Sequence, residues 1–258
     1  MGHIHLGRLP GTQSWNAVVD LLRAGASTRE IATATAKAAE NSLASAASDP
    51  ALRHAFWLLT QLPLSARASD FPERLSQLGM VMGKAPSLLT LAAEFQQSIE
   101  ARIRNARVKT DLGQMAKLAA TEALTTVVSA ELPGLFDATG EDFRIALGKL
   151  AAPDRFAKLS RNFFARLINH NLEYFLSRAI ADHVGPGRRL RTIDDYAEFR
   201  HALAQHCYEA ALIVEAFSRE WYSKANWKGG ITEARASGFT YVAFKKLREE
   251  LRRRAANG

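Results

Sequence analysis

Apolar residues recur along this chain at three- and four-residue spacing, the period of one helix face, and almost nowhere alternate as strand residues do. Trp15, Val18, Val19 and Leu22 follow that spacing and stop at Gly25, a residue suited to end a helix in the left-handed region. Ser27-Thr28-Arg29-Glu30 then reads as a capping box for a second helix, running through an Ala-rich stretch to about Ser48. Asp49-Pro50 caps a third, over 52–62, whose Phe56, Trp57, Leu58 and Leu59 call for deep burial, and Pro63 is expected to end it. Shorter and longer helices are predicted near 72–78, 87–104, 112–132 and 142–150, with a loop over 79–86.

Two long helices complete the pattern. One spans 154–184, with Phe156, Leu159, Phe163 and Leu167 on one face and Leu172, Phe175, Leu176 and Ile180 on another, which marks a central helix. The other spans 192–222, capped by Thr192 with Asp194 and Asp195 in the first turn, where the macrodipole favours anions. Gly229-Gly230 breaks the chain, Thr232 caps, and a final helix runs toward Arg254. Only residues 3–9 alternate as a strand would. The expected fold is all-α, a bundle of roughly nine to ten helices with no significant sheet. Two halves suggest themselves, an Ala-rich near-neutral 1–135 and a basic 140–258 carrying the two long helices, though one continuous domain fits equally. The 45 Ala suit helices, and the preference for 24 Arg over 10 Lys is also what a GC-rich bacterial genome would produce.

Net charge, +8 overall, is unevenly spread. Residues 1–150 hold 15 basic and 14 acidic side chains, whereas 151–258 hold 19 and 12. Within the basic part, 154–191 is +5, 192–223 is −4 and 224–258 is +6. Such blocks either pair with one another or present a surface to a polyanion. The residues read as that surface are Arg188, Arg189 and Arg191 after a Gly-Pro-Gly; Lys224, Trp227 and Lys228, interleaved with Trp221 and Tyr222; and Lys245, Arg248 and Arg252 on one face of the last helix, opposite Phe239, Val242 and Ala243. Aromatics can stack bases while Lys and Arg hold phosphates.

Several chemistries lack their residues. A single cysteine, Cys207, excludes a disulfide framework. His3-x-His5 resembles the metal pair of barrel hydrolases, but that site needs ligands from later strands, and none is predicted. His201, His206 and Cys207 lack a second ligand cluster. No Walker loop, dinucleotide fingerprint or nucleophile elbow occurs, so no metal or cofactor is expected. No apolar run reaches the ~18 residues of a membrane span. The first residues lack an apolar signal core, and Leu6 fails the myristoylation pattern, so a cytoplasmic chain without a membrane partner is expected.

Two segments resemble known families. Val18-Val19-x-Leu21-Leu22-x-x-Gly25-x-Ser27-x-x-Glu30-Ile31-Ala32 is similar to the opening half of LuxR-type DNA-binding domains, which implies a turn and a recognition helix after it. Thr33 to Ala47 runs on without a Gly. Arg200-His201-x-x-x-x-His206 resembles the signature of HEPN ribonucleases, all-helical enzymes that cut RNA without metal, usually as dimers. That resemblance implies Arg200 on the phosphate and His206 as acid or base. On one ideal helix the two lie about 120° apart, so they would converge at an irregularity or across a dimer. The leading expectation is a non-catalytic bacterial helical protein, an assembly subunit or a module binding RNA or DNA through its C-terminal basic surface. Its partners would be a nucleic acid, another protein or a second copy. The alternatives are the HEPN-like ribonuclease and a purely structural subunit.

Overall fold

Ser27, Asp49, Ser87, Thr110, Thr139, Thr192 and Thr232 each supply a side-chain acceptor for a free N–H group in the first turn of a helix. A computed structural model describes residues 3–4, 13–39, 46–83, 87–107, 109–134, 138–180, 183–185 and 190–256. Within them lie α1 (Gln13–Arg23), α2 (Thr28–Ala38), α3 (Pro50–Ala66), α4 (Phe71–Gln77), α5 (Leu88–Ala106), α6 (Asp111–Ser129), α7 (Gly140–Lys149), α8 (Pro153–Ile180), α9 (Ile193–Ala210), α10 (Leu212–Trp227) and α11 (Glu233–Ala256). Ten of these have ten or more residues, and α4 has seven. Full capping boxes start α2 (Ser27, Glu30), α5 (Ser87, Thr90), α7 (Thr139, Asp142) and α9 (Thr192, Asp195). The protein is an all-α multi-helix bundle. Among the described residues, β structure amounts to β1 (His3–Ile4) paired in parallel with β2 (Lys109–Thr110), and a bridge between Val184 and Leu190. No described helix is long and apolar enough to cross a membrane.

One cap joins two helices. Asp49 Oδ1 accepts from the Ala51 and Leu52 N–H groups at the start of α3. The Thr110 hydroxyl donates to Asp49 Oδ2 and accepts from Gly113 N–H at the start of α6. Gly113 is required here, because a Cβ would lie 2.9 Å from Thr110 Oγ1 and 3.0 Å from the Ala51 Cβ.

The long helix α8 is buried on both expected faces, from Phe156 through Ile180. It packs against α2, α6, α9 and α10, while α3 packs against α5, α6, α7 and α11. Helices from before and after residue 135 therefore share one core. Phe56 of α3 sits at its centre, stacked on Phe239 with ring centroids 4.9 Å apart and flanked by Phe156, Phe163, Phe164 and Trp221.

Four boundaries differ from expectation. Helix α2 ends at Ala38, not near Ser48. Helix α3 continues through Pro63 to Ala66, because burial of Leu62, Pro63, Ser65 and Ala66 outweighs the lost N–H bond and the clash of the proline ring with the preceding turn. Helix α8 is described through Ile180, and Val184 lies outside it in a bridge with Leu190, where Gly185 N–H donates to the Leu190 carbonyl at 2.7 Å. The single helix expected over 192–222 is two, α9 and α10, broken at Ala211. On α11, Val242 faces solvent at 40% exposure rather than lying with buried Phe239 and Ala243.

Phe56→Ala should cost about 3–5 kcal/mol, since it leaves a cavity among five aromatic rings. Urea unfolding followed by far-UV circular dichroism would show it as a lower midpoint at unchanged slope. A change below about 1 kcal/mol would refute the central place given to this ring.

Candidate nucleic-acid interface

Ion pairs join the charge blocks. Helix α10 returns along α8, and two ion pairs of opposite polarity join them: Arg161–Glu215 at 3.0 Å, and Asp154–Arg219. Helix α9 adds Glu173–Arg200, and α11 adds Arg254–Glu209. Glu250 holds Arg253 and Arg254 within α11. On the other side of α8, Glu122 of α6 binds Arg166 and His170, each at 3.1 Å. Arg161 and Arg254 of the basic helices thus meet carboxylates of the acidic block, while Arg155 and Arg166 pair with Glu131 and Glu122 of the N-terminal half.

The break at Ala211 has a side-chain cause. Where the helix stops, carbonyls of its last turn lose their partners. Arg161 Nε donates to the Tyr208 carbonyl at 3.0 Å, its guanidinium lies 3.7 Å from the Tyr208 ring centre, and its other end reaches Glu215 beyond the break. Arg254 donates to the Glu209 carbonyl at 3.2 Å. Ala210 and Ala211 are fully buried, small enough for the turn to lie against the core.

This geometry separates the two HEPN-type residues. Arg200 is exposed and forks onto Glu173, at 2.9 and 3.2 Å. His206 is 7% exposed, and its Nε2 finds no partner among the described residues. Burial first, then the Arg254 and Arg29 guanidiniums, push its imidazole below histidine's ordinary 6.5, against the opposing pull of Glu209. The two share no accessible surface. The LuxR-like segment forms its two helices, α1 and α2, around Gly25 at φ +72°. Residues 40–45, where a recognition helix would follow, lie outside the described residues.

What remains on the surface is centred on Trp227. It is 90% exposed at the end of α10, while Tyr222 is buried and stacked 3.8 Å from Phe156, and Trp221 is half-buried against Phe239. Five residues turn a helix by about 140° past a full turn, so Trp227 points away from the face that buries Tyr222. Lys224 and Lys228 flank it, and with Pro153, Ser223 and Asn226 they line a shallow groove. Lys224 also pairs with Glu220, both largely exposed.

The turn after the groove is clamped. Gly229 and Gly230 take φ +91° and +88°, which L side chains rarely adopt. Arg235 donates to the carbonyls of Lys228 (3.0 Å) and Gly230 (2.5 Å). From α3, Trp57 and Gln61 both donate to the Ile231 carbonyl. Ser223 and Asn226 lie beside Trp227 on α10 itself, the packing of α10 on α8 brings Pro153 to them, and Arg235 reaches the turn from α11.

The other expected surface residues do not gather here. Lys245 is exposed on α11 near Tyr241 and Val242; Arg252 is exposed farther along, and Arg248 is half-buried. Arg191 is exposed before α9, beside Asp195 and Glu198. Arg188 and Arg189 lie outside the described residues. Among the described residues no three His, Cys, Asp or Glu side chains converge as metal ligands would. No protein-family model, no curated protein sequence and no solved structure matches this chain.

Because the folded His206 binds its proton less readily than the unfolded chain, its contribution to stability is present in full above pH 6.5 and falls away as pH drops below it. His54, also depressed by burial, adds in the same direction. His206→Gln should therefore lose less stability than the wild type between pH 7.5 and 5.5, both values being approximate bounds around the ordinary histidine pKa, as read from urea midpoints. Equal losses in both proteins would refute it.

Proposed function

We propose that this chain is a non-catalytic helical module that binds nucleic acid through the surface at the end of α10. The observation that carries the reading is Trp227, 90% exposed between Lys224 and Lys228 on a preformed groove. Burying a large apolar side chain is worth roughly 1.5–3 kcal/mol, a gain the isolated chain leaves unrealised at this position. An aromatic face beside cations matches the chemistry of bases and phosphates. The chain's surplus of +8 adds a general attraction for polyanions beyond the ion pairs that α8 to α11 make internally. The ribonuclease alternative has no comparable support, with His206 buried and Arg200 held by Glu173.

The test is fluorescence anisotropy with labelled single-stranded and duplex oligonucleotides. At least one form should bind, and binding should weaken between about 50 and 200 mM salt as counterions compete. A Lys224→Gln, Lys228→Gln double variant should bind more weakly than the wild type at low salt. No salt-sensitive binding of either form would overturn the reading.

A further inference from the structure

We infer that the ligand of the Trp227 groove is a single strand, with one base stacked on the indole and adjoining phosphates held by Lys224 and Lys228. This rests on the nucleic-acid reading above and names the form of nucleic acid the site selects.

The surface offers one flat ring and two cations, not a ridge of charge. A duplex presents a phosphate about every 1.7 Å along its axis, and proteins that bind it meet it with extended arrays of Lys and Arg. On the helices around the groove Arg161, Arg166, Arg200, Arg219 and Arg254 each hold a carboxylate, and the cations that line the groove itself are Lys224 and Lys228. An indole this exposed offers a full face on which a base can stack, and bases show their faces only when unstacked.

The surroundings suit one base. Pro153 adds an apolar wall, and Ser223 and Asn226 offer hydrogen-bonding groups to a base edge. The two carboxylates nearby do not oppose a phosphate strongly. Asp154, next to Pro153, is paired with Arg219. Glu220 holds Lys224 only through a pair whose side chains are 70% and 67% exposed, weak enough in water for a phosphate to displace.

The platform is also ordered in advance. Arg235 ties the Lys228 and Gly230 carbonyls, and Trp57 and Gln61 tie that of Ile231 to α3. Little conformational freedom is left for a ligand to remove at the turn, which favours affinity from a small contact.

The full-length chain would be titrated with labelled oligouridylate and oligothymidylate, and with a duplex of equal length. A single strand should bind more tightly than the duplex. Its logarithmic salt slope should be near −1.4, about 0.7 for each of two phosphates. Trp227→Ala should weaken single-strand binding by roughly 5- to 150-fold, the worth of one stacked base, without changing the salt slope. Lys228→Gln should instead reduce the slope by about 0.7. Trp227 lies on the surface, so an unchanged melting temperature would confirm that the variant is folded. Duplex binding equal to or tighter than single-strand binding, or an affinity indifferent to Trp227→Ala, would overturn the inference and leave the nucleic-acid reading standing. Salt-sensitive binding of neither form would remove both.

Discussion

The guanidinium of Arg161 spans the break between α9 and α10, and much of the C-terminal architecture follows from that junction. It takes a carbonyl and a ring from Tyr208 on one side and the Glu215 carboxylate on the other. An unbroken helix over 193–227 would be about 52 Å long, against about 42 Å for the 28 residues of α8. The two pieces meet at buried Ala210 and Ala211, and both pack on α8. Helix α10 then delivers Trp227 beside Pro153, the first residue of α8, and α11 folds back so that Phe239 stacks with Phe56 and Phe217.

The same junction governs the charge. Basic α8 and α11 are separated in sequence by acidic α9 and α10, and in space their charges meet as partners. Several of these pairs are partly buried: the Arg161 and Glu215 side chains are 14% and 22% exposed. Removing one member of such a pair is costly because the other is left without compensation. Their role is to fix which helix lies beside which. An aromatic flanked by two lysines is a different kind of surface from a basic face, and it is the surface proposed for a single unstacked base.

Helix starts were legible because caps are local. Ser27 with Glu30, Asp49 with Pro50, and Thr192 with Asp195 act within three residues, and each begins a helix. The break at Ala211 was not, because the chain has neither Gly nor Pro there, and the groups that take its carbonyls come from 47 and 45 residues away. Pro63 shows the converse. A local rule ends the helix, while burial among neighbouring helices carries it on to Ala66. The candidate site was half legible. Lys224, Trp227 and Lys228 stood out as aromatic and cationic neighbours, but Trp221 and Tyr222 beside them went to the core, and Arg235 entered only when the loop closed over it.

By itself the sequence determined the all-α class, the caps, the central place of α8 and the plus, minus, plus order of charge, because periodicity, capping and charge counts act within a few residues or within one helix. Only the tertiary structure decided that Arg161 and Arg254 meet carboxylates of the acidic block, that His206 is buried while Arg200 is exposed and carboxylate-bound, and that Trp227 alone of the C-terminal tryptophans stays in water. Those outcomes depend on which helices become neighbours, and that is set by the turn at Ala211 and the packing around Phe56 rather than by any stretch of residues read alone.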